Sequence, residues 1–197
     1  MRTFIVIGHK VPLDPNFSLN DLPGSAGRLD VLCRCVNSVF TLSHDIRRDV
    51  QLYLVLQDRV ALRFSGARLR HLNPDERSTA ALIRRALSLR TRGGATGEER
   101  ESTPGVFVSE RGLEAVLDKV RDGGTQVIVL HEAGTPLRET ELFEPVAFVL
   151  SDHLNYTEPE ERLLSRFEQV SVGPRVLHAD HCITIVHNEL DLRKGEQ

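Results

Sequence analysis

Tryptophan is absent from the 197-residue sequence and tyrosine occurs twice, so any core must be poor in aromatics. Hydrophobic residues make up 40%, enough for a globular core. Three cysteines cannot all pair within one chain. Cys33 and Cys35 are also too close in sequence for an easy bridge, which favours reduced thiols. No stretch approaches the roughly 18 consecutive apolar residues of a bilayer span. No signal-peptide pattern opens the sequence either. Both absences predict a cytoplasmic protein with no membrane partner. Neither Walker-A nor GxGxxG spacing occurs, so the two standard phosphate-loop signatures are missing.

Lysine is scarce as well, at 3 residues against 22 arginines. Guanidinium binds an oxyanion bidentately, which suits phosphate recognition; a GC-rich genome would give the same bias. The net charge of −3 hides a division: residues 1–92 carry +7 and residues 93–197 carry −10. A polyanion partner fits the first half and not the second. The length suits one large domain or two closely packed lobes.

Taken in order, Arg2–Lys10 reads as a short, β-branched buried strand. A loop through Pro12, Pro15 and Pro23 leads to PGSAGRLDVLCRCVNSVF, where Leu29, Leu32, Cys33, Val36, Val39 and Phe40 keep helical spacing and Ser25 could cap the start. Gly24 and Gly27 permit close approach by a backbone or a phosphate. Arg28 on the first turn opposes the helix dipole, which points to a partner outside the helix. Arg47 and Arg48 in SHDIRRDV join Arg28 and Arg34 in the basic half, so these four are candidate RNA-backbone contacts. QLYLVL and VALRF are predicted to pair through a turn at Gln57–Asp58.

In LNPDERSTAALIRRAL, Asn73 is the expected N-cap, with Pro74 first and Glu76 closing a variant capping box. Arg92–Ser102 reads as a loop or lobe boundary. Beyond it, strands at Gly105–Val108, Gln126–Leu130, Pro145–Leu150 and Gln169–Val172 alternate with helices at Leu113–Val120 and Glu158–Phe167. This alternation predicts a parallel α/β sheet. Ligands in such sheets lie beyond the strand C-termini, which singles out Leu130–Glu132, Ser151–His153 and Gly173–Leu177.

The C-terminal stretch LHADHCITIVHNELD sets Ala179, Cys182, Ile183, Val186 and Leu190 on one helical stripe, with His178, His181 and His187 nearby. Zinc would be one reading of these histidines with Cys182. It is disfavoured because neighbours on one helix point about 100° apart, and no metal is expected.

HADHCITIVHN, PGSAGRLDVLCRCV and LSHDIRRDV together resemble the archaeal tRNA pseudouridine-N1-methyltransferases. That family belongs to the SPOUT class of S-adenosylmethionine (SAM) enzymes, and the resemblance covers nearly the whole chain. It implies an open, mostly parallel α/β sheet flanked by helices, with a C-terminal trefoil knot, in a single domain. Within it, residues 1–92 would form the RNA-facing half and residues 103–197 the SAM-binding half. It also implies a homodimer, tRNA as partner, and S-adenosylhomocysteine as product. Leu130, His131, Ser151, Asp152, Leu177 and Cys182 would contact SAM, with Cys182 lining the pocket rather than acting as a nucleophile. Arg28 matches the arginine that faces the target base, and Asp75 in PDER matches an aspartate that would orient it or take its proton. Ser151 departs from a common family glycine, and its Cβ would crowd the cofactor. The alternatives are another SPOUT target, in ribosomal pseudouridine or a ribose 2′-hydroxyl, and a non-catalytic RNA-binding or assembly factor.

Overall fold

The computed structural model describes residues 1–92 and 98–195. Among them, one sheet contains β1 (Arg2–Gly8), β2 (Val50–Leu56), β3 (Val60–Ser65), β4 (Arg100–Thr103), β5 (Val106–Ser109), β6 (Gln126–Pro136), β7 (Val146–Ser151) and β8 (Glu168–Ser171). The spatial order is β4-β5-β3-β2-β1-β7-β6-β8. From β2 through β1 and β7 to β8 neighbouring strands are parallel, and the β2–β3–β5–β4 flank is antiparallel. β1 pairs with β2 on one side and β7 on the other, so both halves of the chain share one sheet.

Parallel strands covered on both faces read as unbroken apolar runs, and every residue of β1 is buried. Alternation then sorts its side chains. Phe4 and Val6 pack in the core under α2 (Leu29–Phe40), α3 (Glu76–Arg92) and α6 (Ala179–Gly195). Ile5 and Ile7 face α4 (Leu113–Asp122) and α5 (Glu158–Leu164).

Local structure departs from the sequence expectation in several places. The predicted helix at PGSAGRLDV is broken: a short α1 (Leu22–Ser25) is capped by Asp21 rather than by Ser25, and α2 starts afresh after Arg28. Between them Gly27 and Arg28 both take positive φ, at 56° and 67°. A Cβ on Gly27 would stand 1.9 Å from the Lys10 carbonyl oxygen, so backbone, not phosphate, makes the close approach there. At the start of α3 the Asp75 carboxylate, not Asn73, accepts from the Ser78 N–H at 2.7 Å. Part of the expected 92–102 loop, Arg100–Thr103, is an edge strand; residues 93–97 of it lie outside the described residues.

The β2–β3 hairpin turns at Gln57 and Asp58, which take φ of 48° and 51°. β6 is longer than its apolar run suggests. Leu130 and Thr135 both register on Val170 of β8, so residues 131–134 leave the ladder as an excursion. Gly134 holds that excursion against β8, since a Cβ there would lie 2.5 Å from the Val170 nitrogen.

Candidate active site

Where β6, β7 and β8 end, their connecting segments surround a cavity of about 230 Å³ that opens to solvent. Leu130, Leu150, Val170 and Ala179 form its buried aliphatic floor. Glu132, Glu161 and Arg175 stand exposed at its rim. Arg175 has no ion-pair partner among the described residues. All six positions singled out for a cofactor, namely Leu130, His131, Ser151, Asp152, Leu177 and Cys182, line this one cavity.

The cavity walls are stitched together by buried polar contacts. Tyr156, in the segment joining β7 to α5, donates its hydroxyl toward the carbonyls of Val149 at 3.1 Å and Leu130 at 3.2 Å. Burial pushes its pKa well above that of a free phenol, so it stays a donor. The Ser151 hydroxyl donates to the Leu154 carbonyl and closes the turn from within. Asp152 differs from its sequence assignment in one respect: although it lines the cavity, its carboxylate is turned to His9 and to the Leu154 N–H. Cys182 is half-buried, with Sγ 3.9 Å from the Leu177 carbonyl. Burial, reinforced by Asp180, raises its thiol pKa, which disfavours the nucleophilic thiolate.

Beside the cavity, the N-terminal ends of α2 and α3 carry a charged cluster. Arg28 donates Nε and Nη2 to the two Asp30 oxygens at 3.0 and 3.1 Å. Arg34 Nη1 bridges Asp30 at 3.0 Å and Glu76 at 3.1 Å. Its Nε stands 4.0 Å from Asp180 on the first turn of α6. Burial alone would raise the Asp30 carboxyl pKa, but the bonds from Arg28 and Arg34 outweigh it and hold the group below the usual carboxylate range. Arg28 follows Gly27, which is seated on the Lys10 carbonyl, and His9 beside Lys10 is bonded to Asp152 of the cavity wall. Asp75 adjoins Glu76 in this cluster, and is exposed.

A methyltransferase family model, described as SAM-dependent RNA methyltransferase, matches residues 1–194. The chain belongs to this family. Relatives named tRNA (pseudouridine(54)-N(1))-methyltransferase include that of Haloferax volcanii, 54% identical, with 97% of this chain and 96% of the relative covered. That of Methanococcoides burtonii is 48% identical over the same shares. That of Methanocorpusculum labreanum is 47% identical with both chains fully covered. Among solved structures, Nep1 of Archaeoglobus fulgidus bound to S-adenosylhomocysteine superposes with a TM-score of 0.65 at 15% identity, covering 98% of this chain and 99% of that one. At that identity the likeness shows the fold, an α/β sheet flanked by helices.

For this methyltransferase family member the four arginines expected on RNA do not lie together. Arg28 and Arg34 flank the cavity end of α2, whereas the Arg47 N–H donates to the Phe40 carbonyl at the other end of that helix. Twelve residues separate those ends by roughly 18 Å. Arg47 is chelated by Asp191, at 2.6 Å for the shorter bond, and Arg48 donates to the Leu69 carbonyl at 2.9 Å. Both hold the chain together locally. His187 is likewise removed from the other histidines of its stretch. It is buried between the Val39 carbonyl, 3.1 Å from Nε2, and Arg2, 3.2 Å from Nδ1. No group of three or more His, Cys, Asp or Glu side chains among the described residues is arranged to hold a metal.

The sequence reading missed His9 and Glu160. The imidazole of His9 lies between Asp152 and Glu160, 2.9 Å from each. Only the His in GHK at the end of a buried strand hinted at it, because its partners are 143 and 151 residues away.

Proposed function

We propose that the chain transfers a methyl group from SAM to N1 of pseudouridine 54 in the T-loop of tRNA. What carries the reading is the strand-end cavity, its wall joined through His9 and Lys10 to the turn that bears Arg28, in a chain half-identical over nearly its full length to relatives named for that reaction. The residues fit the cofactor. An aliphatic floor suits adenine, and the free Arg175 with Glu132 and Glu161 suits the carboxylate and ammonium of a methionine moiety. SAM, when bound, supplies an electrophilic methyl on its sulfonium.

The chain's own residues then have two tasks, alignment and charge. Leu130, Leu177 and Cys182 shape the cavity so that one orientation is allowed. Arg28 faces the base and stabilises the negative charge that grows on the ring as N1 loses its proton. The Ser78 N–H and hydroxyl hold the Asp75 pKa below the usual carboxylate range, making it a weak base. Asp75 therefore holds the base by accepting a hydrogen bond, and the N1 proton passes to solvent water as the N1–CH3 bond replaces N1–H and S-adenosylhomocysteine leaves. Arg28 and Arg34 meet the RNA at the cavity mouth, while Arg47 and Arg48 serve the fold.

The reading includes a knotted C-terminal segment, residues 1–92 as the RNA-facing half, residues 103–197 as the cofactor half, and action in the cytoplasm, where tRNA is modified. It also includes a homodimer. Exposed Val176 (77%), Leu177 (38%) and Leu192 (55%) supply apolar surface that a second copy would cover; sedimentation of the purified chain tests that part. The reaction is tested by incubating the protein with SAM and a pseudouridine-54 T-arm RNA, followed by nucleoside mass spectrometry. One added methyl on the pseudouridine base supports the reading. A methyl on ribose would move the chain to a 2′-hydroxyl target. No methyl at all would leave an RNA-binding factor.

A further inference from the structure

His9 closes β1 and reaches across to the segment that walls the cavity. Its backbone N–H donates to Asp152 Oδ2 at 2.9 Å, and its Nδ1 lies 2.9 Å from Asp152 Oδ1. Its Nε2 lies 2.9 Å from Glu160 Oε2. The Asp152 and Glu160 side chains are 1% and 11% exposed. Glu160 is itself fixed, because the same oxygen accepts the Thr157 N–H at 2.7 Å in the capping box that opens α5. An ionised carboxylate only accepts hydrogen bonds. Both ring nitrogens must therefore carry hydrogen, and the ring is an imidazolium. Removing it would leave two buried carboxylates without their shared cation.

We propose that His9 is a positioning residue for the cofactor: by bridging Asp152 and Glu160 it clamps the Asp152–Thr157 wall of the cavity onto the end of β1. This rests on the reading of the cavity as the SAM site. Asp152 N also bonds the Ile7 carbonyl at 3.0 Å, so ring and backbone fasten the same segment. The contact is central to the site in a second way. Lys10, the next residue, presents the carbonyl against which Gly27 and the Arg28 turn are seated. One joint thus sets the cofactor wall and, through its neighbour, the arginine that faces the base.

The titratable and charged groups around the ring are Asp152 and His153 after β7, Glu160 on α5, and Lys10 beside it, with Arg28 on the turn seated against Lys10. The Asp152 hydrogen bond raises the ring pKa, burial lowers it, and Glu160 raises it again, leaving it pushed up to about 9. The joint is therefore intact at neutral pH and opens as pH climbs through that value.

The test measures S-adenosylhomocysteine binding by calorimetry from pH 7 to 10, with the His9 ring followed by NMR. His9→Gln should weaken binding at pH 7 by about tenfold. The ratio of its Kd to that of the native chain, which cancels titration of the ligand's own amine, should approach one as pH passes about 9. Glu160→Gln keeps an acceptor for the Thr157 N–H and removes a charge. It should lower the ring's titration midpoint and move the fall in affinity with it. A native chain that binds no S-adenosylhomocysteine overturns the cavity assignment and this proposal together. Normal native binding with an unchanged Kd in His9→Gln overturns the role of His9 alone. Should His9→Gln fail to fold, Glu160→Gln decides, and a ring midpoint that shifts without shifting the affinity profile overturns the proposal.

Discussion

Arg28 grips Asp30 with the Nε–Nη2 edge of its guanidinium, at 3.0 and 3.1 Å, from a left-handed backbone conformation that non-glycine residues rarely adopt. Holding a residue there costs of order 1–3 kcal/mol, so the surroundings must impose it. The Gly27–Lys10 contact and the Asp30 fork hold it there, and the result is an Arg28 side chain that stays 41% exposed. Arg28→Ala is expected to lower kcat by about 10²-fold with SAM affinity unchanged. Arg28→Lys should not restore it, because an ammonium cannot fork to Asp30 and still present its planar face. Loss of SAM binding in the alanine variant would place Arg28 in the cofactor site instead.

Asp75 combines two roles that separate by choice of variant. Its carboxylate caps α3 through the Ser78 N–H, and asparagine caps about as well. Asp75→Asn should therefore keep the melting temperature while raising KM for RNA, if the residue holds the base by accepting a hydrogen bond. Asp75→Ala should lose turnover and also about 1 kcal/mol of stability. Equal kinetics for Asp75→Asn and the native chain would assign Asp75 to capping alone.

Cys182 sits on the α6 stripe and on the cavity wall at once. Cys182→Trp should overpack the wall and abolish S-adenosylhomocysteine binding. Cys182→Ser, close in volume, should leave turnover within a few-fold, since the raised thiol pKa makes covalent attack by this group unfavourable. Turnover eliminated by the serine change, in a folded protein that still binds cofactor, would reopen a nucleophilic role.

The cavity's location was legible because it depends on a local pattern. Apolar runs ending in Leu130, Leu150 and Val172 mark the strand C-termini, and in parallel sheets it is beyond those ends that clefts form. What stayed hidden depends on distant pairs. Asp180 and His187 lie on a helix whose apolar stripe is clear, yet both are buried, at 8% and 3% exposure. Their partners Arg34, Arg2 and Val39 come from the other end of the sequence. Arg47 and Arg48 looked like a basic patch because charge counts do not show that Asp191 lies opposite Arg47 and that Arg48 is paired with Asp45. β4 was unreadable as a strand, since REST has no apolar alternation and, at the sheet edge, has β5 as its one neighbouring strand among the described residues.

Burial, with Arg47 and Arg2 nearby, lowers the His187 pKa to about 4 from an ordinary 6.5. The ring is thus neutral in the fold, donating Nε2–H to Val39 and accepting from Arg2. A folded-state pKa below the unfolded one contributes stability above pH 6.5, and that contribution is lost as pH falls toward 4. Urea unfolding should show a loss of roughly 3 kcal/mol across that window. His187→Gln should flatten this part of the profile. A native profile level from pH 6.5 to 4 would mean that the ring is charged in the fold.

The substrate itself admits the sharpest test. In uridine, N1 is the glycosidic nitrogen, with no proton to lose and no lone pair free for attack. In pseudouridine the sugar is joined through carbon, and N1 becomes an exposed imino N–H. A site that aligns this nitrogen with a methyl donor, and sets Arg28 where the ring anion forms, has nothing to methylate in uridine however well the surrounding RNA binds. Two T-arm RNAs identical except for uridine or pseudouridine at position 54, each given methyl-labelled SAM, should therefore differ completely. Label is expected in the pseudouridine RNA alone. Binding of the two RNAs should differ far less than their labelling, because contacts to the RNA backbone, the role proposed for Arg34, carry no information about N1. Equal labelling of both RNAs would mean that the acceptor is a ribose hydroxyl or another base atom, and the N1 assignment would fall while methyl transfer survived.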